Sequence, residues 1–92
     1  MKRQCLVRIS GNVQGVSFRA STEHQAIEWK LAGYVKNLAD GRVEAVFQGE
    51  NENLQKMVDW CHKGPRRARV GQVEVEWHAI EKTLDSFRIL MD

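Results

Sequence analysis

Proline occurs once in this chain and cysteine twice, and no apolar run approaches the about 18 residues needed to cross a bilayer. Each shortage excludes something. With Pro65 alone and no glycine- or serine-rich tract, there is no internal linker, repeat or low-complexity segment, and residues 1–92 are expected to form a single domain. Cys5 and Cys61 are too few and too far apart for a disulfide scaffold or a four-ligand zinc site. The expectation is two reduced thiols acting as small hydrophobes, with one strand-to-helix bridge as the alternative. Excess charge is lacking too. Fourteen basic residues against twelve acidic give +2, mixed along most of the chain, so bulk charge argues for neither a nucleic-acid nor a membrane partner. No apolar stretch follows the basic start Met1-Lys2-Arg3, so no secretory signal is visible and a cytoplasmic location is the default. His24, His62 and His78 fall in different expected elements without ligand spacing, which points to no metal.

The residues present are patterned for two kinds of element. Cys5, Val7 and Ile9 alternate with Leu6, Arg8 and Ser10, as in a strand with one face on a core. Phe18, Thr22, Ala26 and Trp29 recur every three or four residues, the signature of a helix, and Trp29 is read as core. Ser17 or a neighbour is a candidate cap for that helix, and Gly33 a candidate for turning the chain back towards the sheet. Tyr34–Leu38 and Arg42–Gln48 read as antiparallel strands joined through Ala39-Asp40-Gly41. Alternation places Val35 with Asn37 on one face, and Val43 with Ala45 and Phe47 on one face. Leu54, Met57, Val58 and Cys61 mark a second amphipathic helix, stopped by a basic last turn, Gly64 and Pro65. Trp60 lies off its apolar stripe and is expected at the edge of the core. Val70, Val73, Val75 and Trp77 follow a fourth strand, and Phe87 and Ile89 a short final one. Arg66, Arg67 and Arg69 form a basic cluster without interleaved aromatics, which reads as a solvated loop. Two helices with such strands make an α+β sandwich.

The stretch with chemical potential is Gly11–Arg19, a glycine-punctuated loop between a strand and a helix. A helix start carries backbone N–H groups without intrahelical partners and the positive end of a dipole, and loop glycines let those donors curl round an anion. Arg19 adds a planar fork of donors matched to two oxygens of a phosphate or carboxylate. Spacing alone favours a tight turn with a solvated Arg19, because short glycine patterns recur by chance. Gly11 and Gly15 also match neither the nucleotide P-loop nor the dinucleotide fingerprint. Asn37, taken alone, reads as a strand-end amide bonding its own turn.

The run Gly11, Val13, Gln14, Gly15, Val16, Phe18, Arg19 resembles the first signature of the acylphosphatase family. A second is present in Gly33, Tyr34, Val35, Lys36, Asn37, followed by Gly41, Val43 and Gly49, and the similarity extends to Gly64-Pro65 and Ala68-Arg69-Val70. The resemblance implies a ferredoxin-like fold, βαββαβ plus a short terminal strand, with an antiparallel sheet and two helices on one face. It implies metal-independent, cofactor-free hydrolysis of a small acyl phosphate by a monomer. Carried over by position, Arg19 binds the phosphate, the backbone N–H groups of Gln14, Gly15, Val16, Ser17 and Phe18 complete the cradle, and Asn37 orients the attacking water. The chain departs from the family at Asn12, where many members are basic, at Leu38, where some carry a hydroxyl, and at Lys30, where glycine is frequent. If the helix ends there in a left-handed residue, lysine costs about 1 kcal/mol.

These residues suit the reaction. The leaving group is a carboxylate whose conjugate acid has a pKa of about 4, so its departure at neutral pH needs no general acid. Phosphoryl transfer then asks the protein mainly to neutralise the equatorial oxygens and to place the nucleophile in line. Two rival classes are a single-strand RNA reader, which would stack bases on exposed sheet aromatics, and an acyl-phosphate-recognising regulatory domain that does not turn its ligand over.

Overall fold

The computed structural model describes residues 1–91. Its strands are β1 (Lys2–Asn12), β2 (Ala32–Asn37), β3 (Val43–Glu50), β4 (Arg69–His78) and β5 (Phe87–Ile89), and its helices are α1 (Phe18–Glu28) and α2 (Asn51–Lys63). They form one five-stranded sheet in the order β4-β1-β3-β2-β5. Between β1 and β2, which run the same way, lies β3, and between β3 and β4 lies β1, so both helical crossovers skip one strand. This is the expected split βαβ, ferredoxin-like arrangement. One refinement concerns the last strand. β5 pairs with β2 in parallel, Gly33 opposite Phe87 and Val35 opposite Ile89, so the four antiparallel strands become a mixed sheet of five.

The core lies between sheet and helices. Cys5, Val7 and Ile9 of β1, Val35 of β2 and Val43, Ala45 and Phe47 of β3 are fully buried there. Opposite them α2 places Leu54, Met57, Val58 and Cys61, and α1 places Phe18, Thr22 and Ala26. The strand and helix periods put these residues on common faces. Phe18 meets Trp60 edge-on at 5.6 Å between centroids, and Phe47 stacks on Phe87 at 5.5 Å. Both cysteines are free and buried; burial pushes the Cys5 thiol up to about 12 and also raises Cys61, so neither is a nucleophile at neutral pH. Trp29, at the C-terminal cap of α1, is partly buried and packs against the core.

Local details depart from the sequence reading in three places. Ser17 holds the N-cap position of α1 but in a left-handed conformation (φ 64°) and without a side-chain cap bond, since a capping serine has an extended backbone. The turn out of α1 is made by Lys30 (φ 56°), and Gly33 lies inside β2, where the Val46 carbonyl leaves no room for a Cβ. Gly11 likewise belongs to β1, packed against the Arg69 carbonyl beside a register shift between Ser10 and Gly11. That bulge explains why Val70 and Val73, three residues apart, sit among residues that otherwise alternate by two.

The other sheet face is polar. Glu44, 8% exposed, accepts from Arg8 Nε at 3.1 Å and from the Tyr34 hydroxyl at 3.0 Å, with Lys36 Nζ at 3.8 Å. Burial, then the bond to Glu44, pushes the Tyr34 hydroxyl up to about 12. Among the described residues no helix is long and apolar enough to cross a membrane.

Candidate active site

Between the end of β1 and the start of α1, residues 13–17 form the loop singled out above. Gly15 (φ 76°) and Ser17 (φ 64°) are both left-handed, giving the curl in which successive N–H groups converge on one side. Among the described residues, no backbone N–H from Gln14 to Phe18 donates to a protein acceptor. The first backbone bond of the turn is Ser21 N–H to Ser17 O at 3.0 Å. No acidic residue stands in the first turn of α1, so nothing neutralises the positive helix end. The buried Phe18 side chain anchors the helix start in the core, which fixes the donors' position.

A cleft of about 230 Å³ opens at this loop, lined by Val13, Gly15, Ser17, Phe18, Arg19 and Ala20, by Asn37, and by Ile89 and Met91. Arg19, second residue of α1, and Asn37, last residue of β2, thus reach one space from opposite sides. Asn37 shares the helix-facing side of β2 with Val35, and its carboxamide bonds no protein group among the described residues. Of the residues expected at the site, Gly15, Ser17, Phe18, Arg19 and Asn37 line the cleft. Gln14 and Val16 do not. Val16 packs against the core, and the Gln14 side chain turns to the β2–β3 hairpin, where its Nε2 donates to Leu38 O at 2.8 Å and Arg42 O at 2.9 Å. Only their backbone groups remain available to the loop.

Four cleft residues were not expected at the site: Val13 and Ala20, which flank the loop, and two from the far end of the chain. Met91, whose thioether accepts from Arg19 Nη1 at 3.3 Å, and Ile89 arrive through the parallel pairing of β5, for which the sequence holds no local signal. A larger cavity of about 550 Å³ lies elsewhere, between the outer sheet face and the 78–84 linker. Its Gln48 carboxamide is committed to Gln4, Lys82 O and Leu84 N–H, and no amide cradle faces it. Among the described residues no group of three or more His, Cys, Asp or Glu is placed to hold a metal ion.

A curl of amides, an adjacent guanidinium and a carboxamide thus line one cleft of a small α+β split βαβ domain, a donor set that suits a tetrahedral anion. The sequence profile of the acylphosphatase family matches residues 5–89. An acylphosphatase of Roseiflexus sp. (strain RS-1) is 59% identical over 71 residues, 77% of this chain and 76% of the relative. One from Geotalea uraniireducens (strain Rf4) is 42% identical over 89 residues, 97% of this chain and 98% of the relative. The crystal structure of acylphosphatase from Bacillus subtilis superposes with a TM-score of 0.94 at 34% identity, covering 99% of this chain and 100% of that one. The chain belongs to the acylphosphatase family.

Proposed function

We propose that this chain, an acylphosphatase-family hydrolase, cleaves the carboxyl-phosphate bond of acyl phosphates by in-line attack of a water that Asn37 orients on a phosphate held by Arg19 and the loop amides. One observation carries the reading: Gly15, Ser17, Phe18, Arg19 and Asn37 surround a single cleft. The loop N–H groups and the guanidinium take the three equatorial oxygens, whose charge is spread in the transition state. The carboxamide both accepts from and donates to one water, so it aims a lone pair without acting as a base. The departing carboxylate leaves unprotonated, so no acid is required beside it. In the same reading residues 1–92 are one domain, working as a cytoplasmic monomer on a small molecule, without nucleic-acid or membrane partners. The near balance of 14 basic and 12 acidic residues supports that part.

The test is phosphate release from benzoyl phosphate in the presence of a chelator. Asn37→Ala is expected to lower kcat by about a hundred- to a thousandfold, as for loss of other single transition-state groups, while KM changes far less. Full activity in that variant would remove Asn37 from the mechanism.

A further inference from the structure

Among the described residues, the Gln14 side chain is the one hydrogen-bonded link between the 13–17 loop and the hairpin at the strand end that carries Asn37. Its Nε2 has two N–H donors, and both are spent on the hairpin, on Leu38 O at 2.8 Å and on Arg42 O at 2.9 Å, in a partly buried setting. Leu38 directly follows Asn37. The hairpin does not need this help to close. Leu38 N–H already donates to Arg42 O at 2.8 Å, and Gly41 N–H to Leu38 O at 3.2 Å, so both carbonyls keep a partner without Gln14. Neither is the loop short of anchors, because Val13 and Phe18 are buried at its two ends. What the two bonds add is a fixed register between loop and strand end.

We infer that Gln14 is a positioning residue that sets the distance and angle between the loop's phosphate cradle and the Asn37 carboxamide. The inference rests on the role proposed for Asn37. Attack on a held phosphate needs the reacting atoms about 3 Å apart and in line, and a displacement of about 1 Å can cost a hundredfold in rate. Phosphate binding itself needs only the loop and Arg19, which lie on one side of the cleft. Losing Gln14 should therefore impair turnover more than affinity. The two donors on the Gln14 nitrogen meet both carbonyls, whereas a carboxylate would repel them and a thioether of the same length would meet neither.

The experiment is a double-mutant cycle on the full chain, using Gln14→Ala and Gln14→Met, each alone and with Asn37→Ala. The methionine variant keeps the bulk, so a folded protein is available even if alanine disturbs the loop. Each Gln14 variant alone should lower kcat for benzoyl phosphate about tenfold or more, with the dissociation constant of inorganic phosphate within about threefold of the parent value. In the Asn37→Ala background the same substitutions should cost less than about threefold in kcat, since the group being positioned is gone. Equal factors in both backgrounds, or phosphate affinity falling in step with kcat, would overturn the inference. If Asn37→Ala alone is fully active, the proposed mechanism fails instead, whatever Gln14 does.

Discussion

The two helices are built to different standards. α2 obeys most local rules: an apolar stripe of Leu54, Met57, Val58 and Cys61, an acidic residue, Glu52, in its first turn, His62 and Lys63 in its last, and a left-handed Gly64 to stop it, although its N-cap, Glu50, makes no side-chain cap bond. α1 obeys few. Its N-cap Ser17 is left-handed and bonds nothing with its side chain, its first turn has no acid and its last no base, and its chain reversal falls on a left-handed lysine. The irregular start is the end that lines the cleft. In the proposed mechanism a first-turn carboxylate would compete for the very donors that the phosphate uses, so its absence from α1 is a concession of stability to binding.

That contrast can be broken at four points. The largest effect belongs to Arg19→Ala, which removes the only side-chain cation lining the cleft among the described residues; turnover of benzoyl phosphate and binding of inorganic phosphate should both fall to near background. Arg19→Lys should not restore them, because an ammonium cannot form the two-pronged contact. Next is Gly64→Ala at the regular helix. A Cβ there would lie 2.7 Å from Phe18 Cε2 on a backbone with φ 69°, so a loss of about 2 kcal/mol is expected in chemical denaturation. Because Phe18 opens α1, the damage should pass to the active-site helix as well. Ala20→Glu would give the irregular helix the first-turn acid that α2 has. Ala20 is exposed and lines the cleft, so inhibition by inorganic phosphate should weaken about tenfold while thermal stability holds or rises slightly. A stronger phosphate interaction would contradict the idea that the helix start is kept free for an anion. The smallest change is Lys30→Gly, which relieves the left-handed lysine and should stabilise by about 0.5–1 kcal/mol with kcat and KM unchanged. A loss of activity there would show that the far end of α1 also serves the site.

Legibility in the sequence followed how local the cause was. α2 could be read almost residue by residue, since period, charge and stop signal all lie within its own span. The core-facing alternation of β1 and β3, and the placement of Asn37 beside Val35, needed only the strand period. Lys30 could be flagged because a left-handed position is visible wherever glycine is expected. Failures came where a distant segment decides the outcome. Gly11 looked like part of the phosphate loop, yet it is shaped by the Arg69 carbonyl of a strand almost sixty positions away. β5 carries too few residues to declare a direction, and its parallel pairing is fixed by the space beside β2. The Gln14 side chain could not be separated from the loop backbone, because its acceptors lie in a hairpin more than twenty residues on. The proposed pair, Arg19 and Asn37, stood out only through the two signatures together, as each residue alone has an ordinary use.

The parallel docking of β5 has a practical outcome for anyone handling this enzyme. It delivers Met91 to the rim of the cleft, with its sulfur on Arg19, so a tag fused at this end would crowd the opening that the proposed substrate uses. Affinity tags and fusion partners belong at the opposite end, where among the described residues the amino group of Met1 meets only the exposed carboxylate of Glu50.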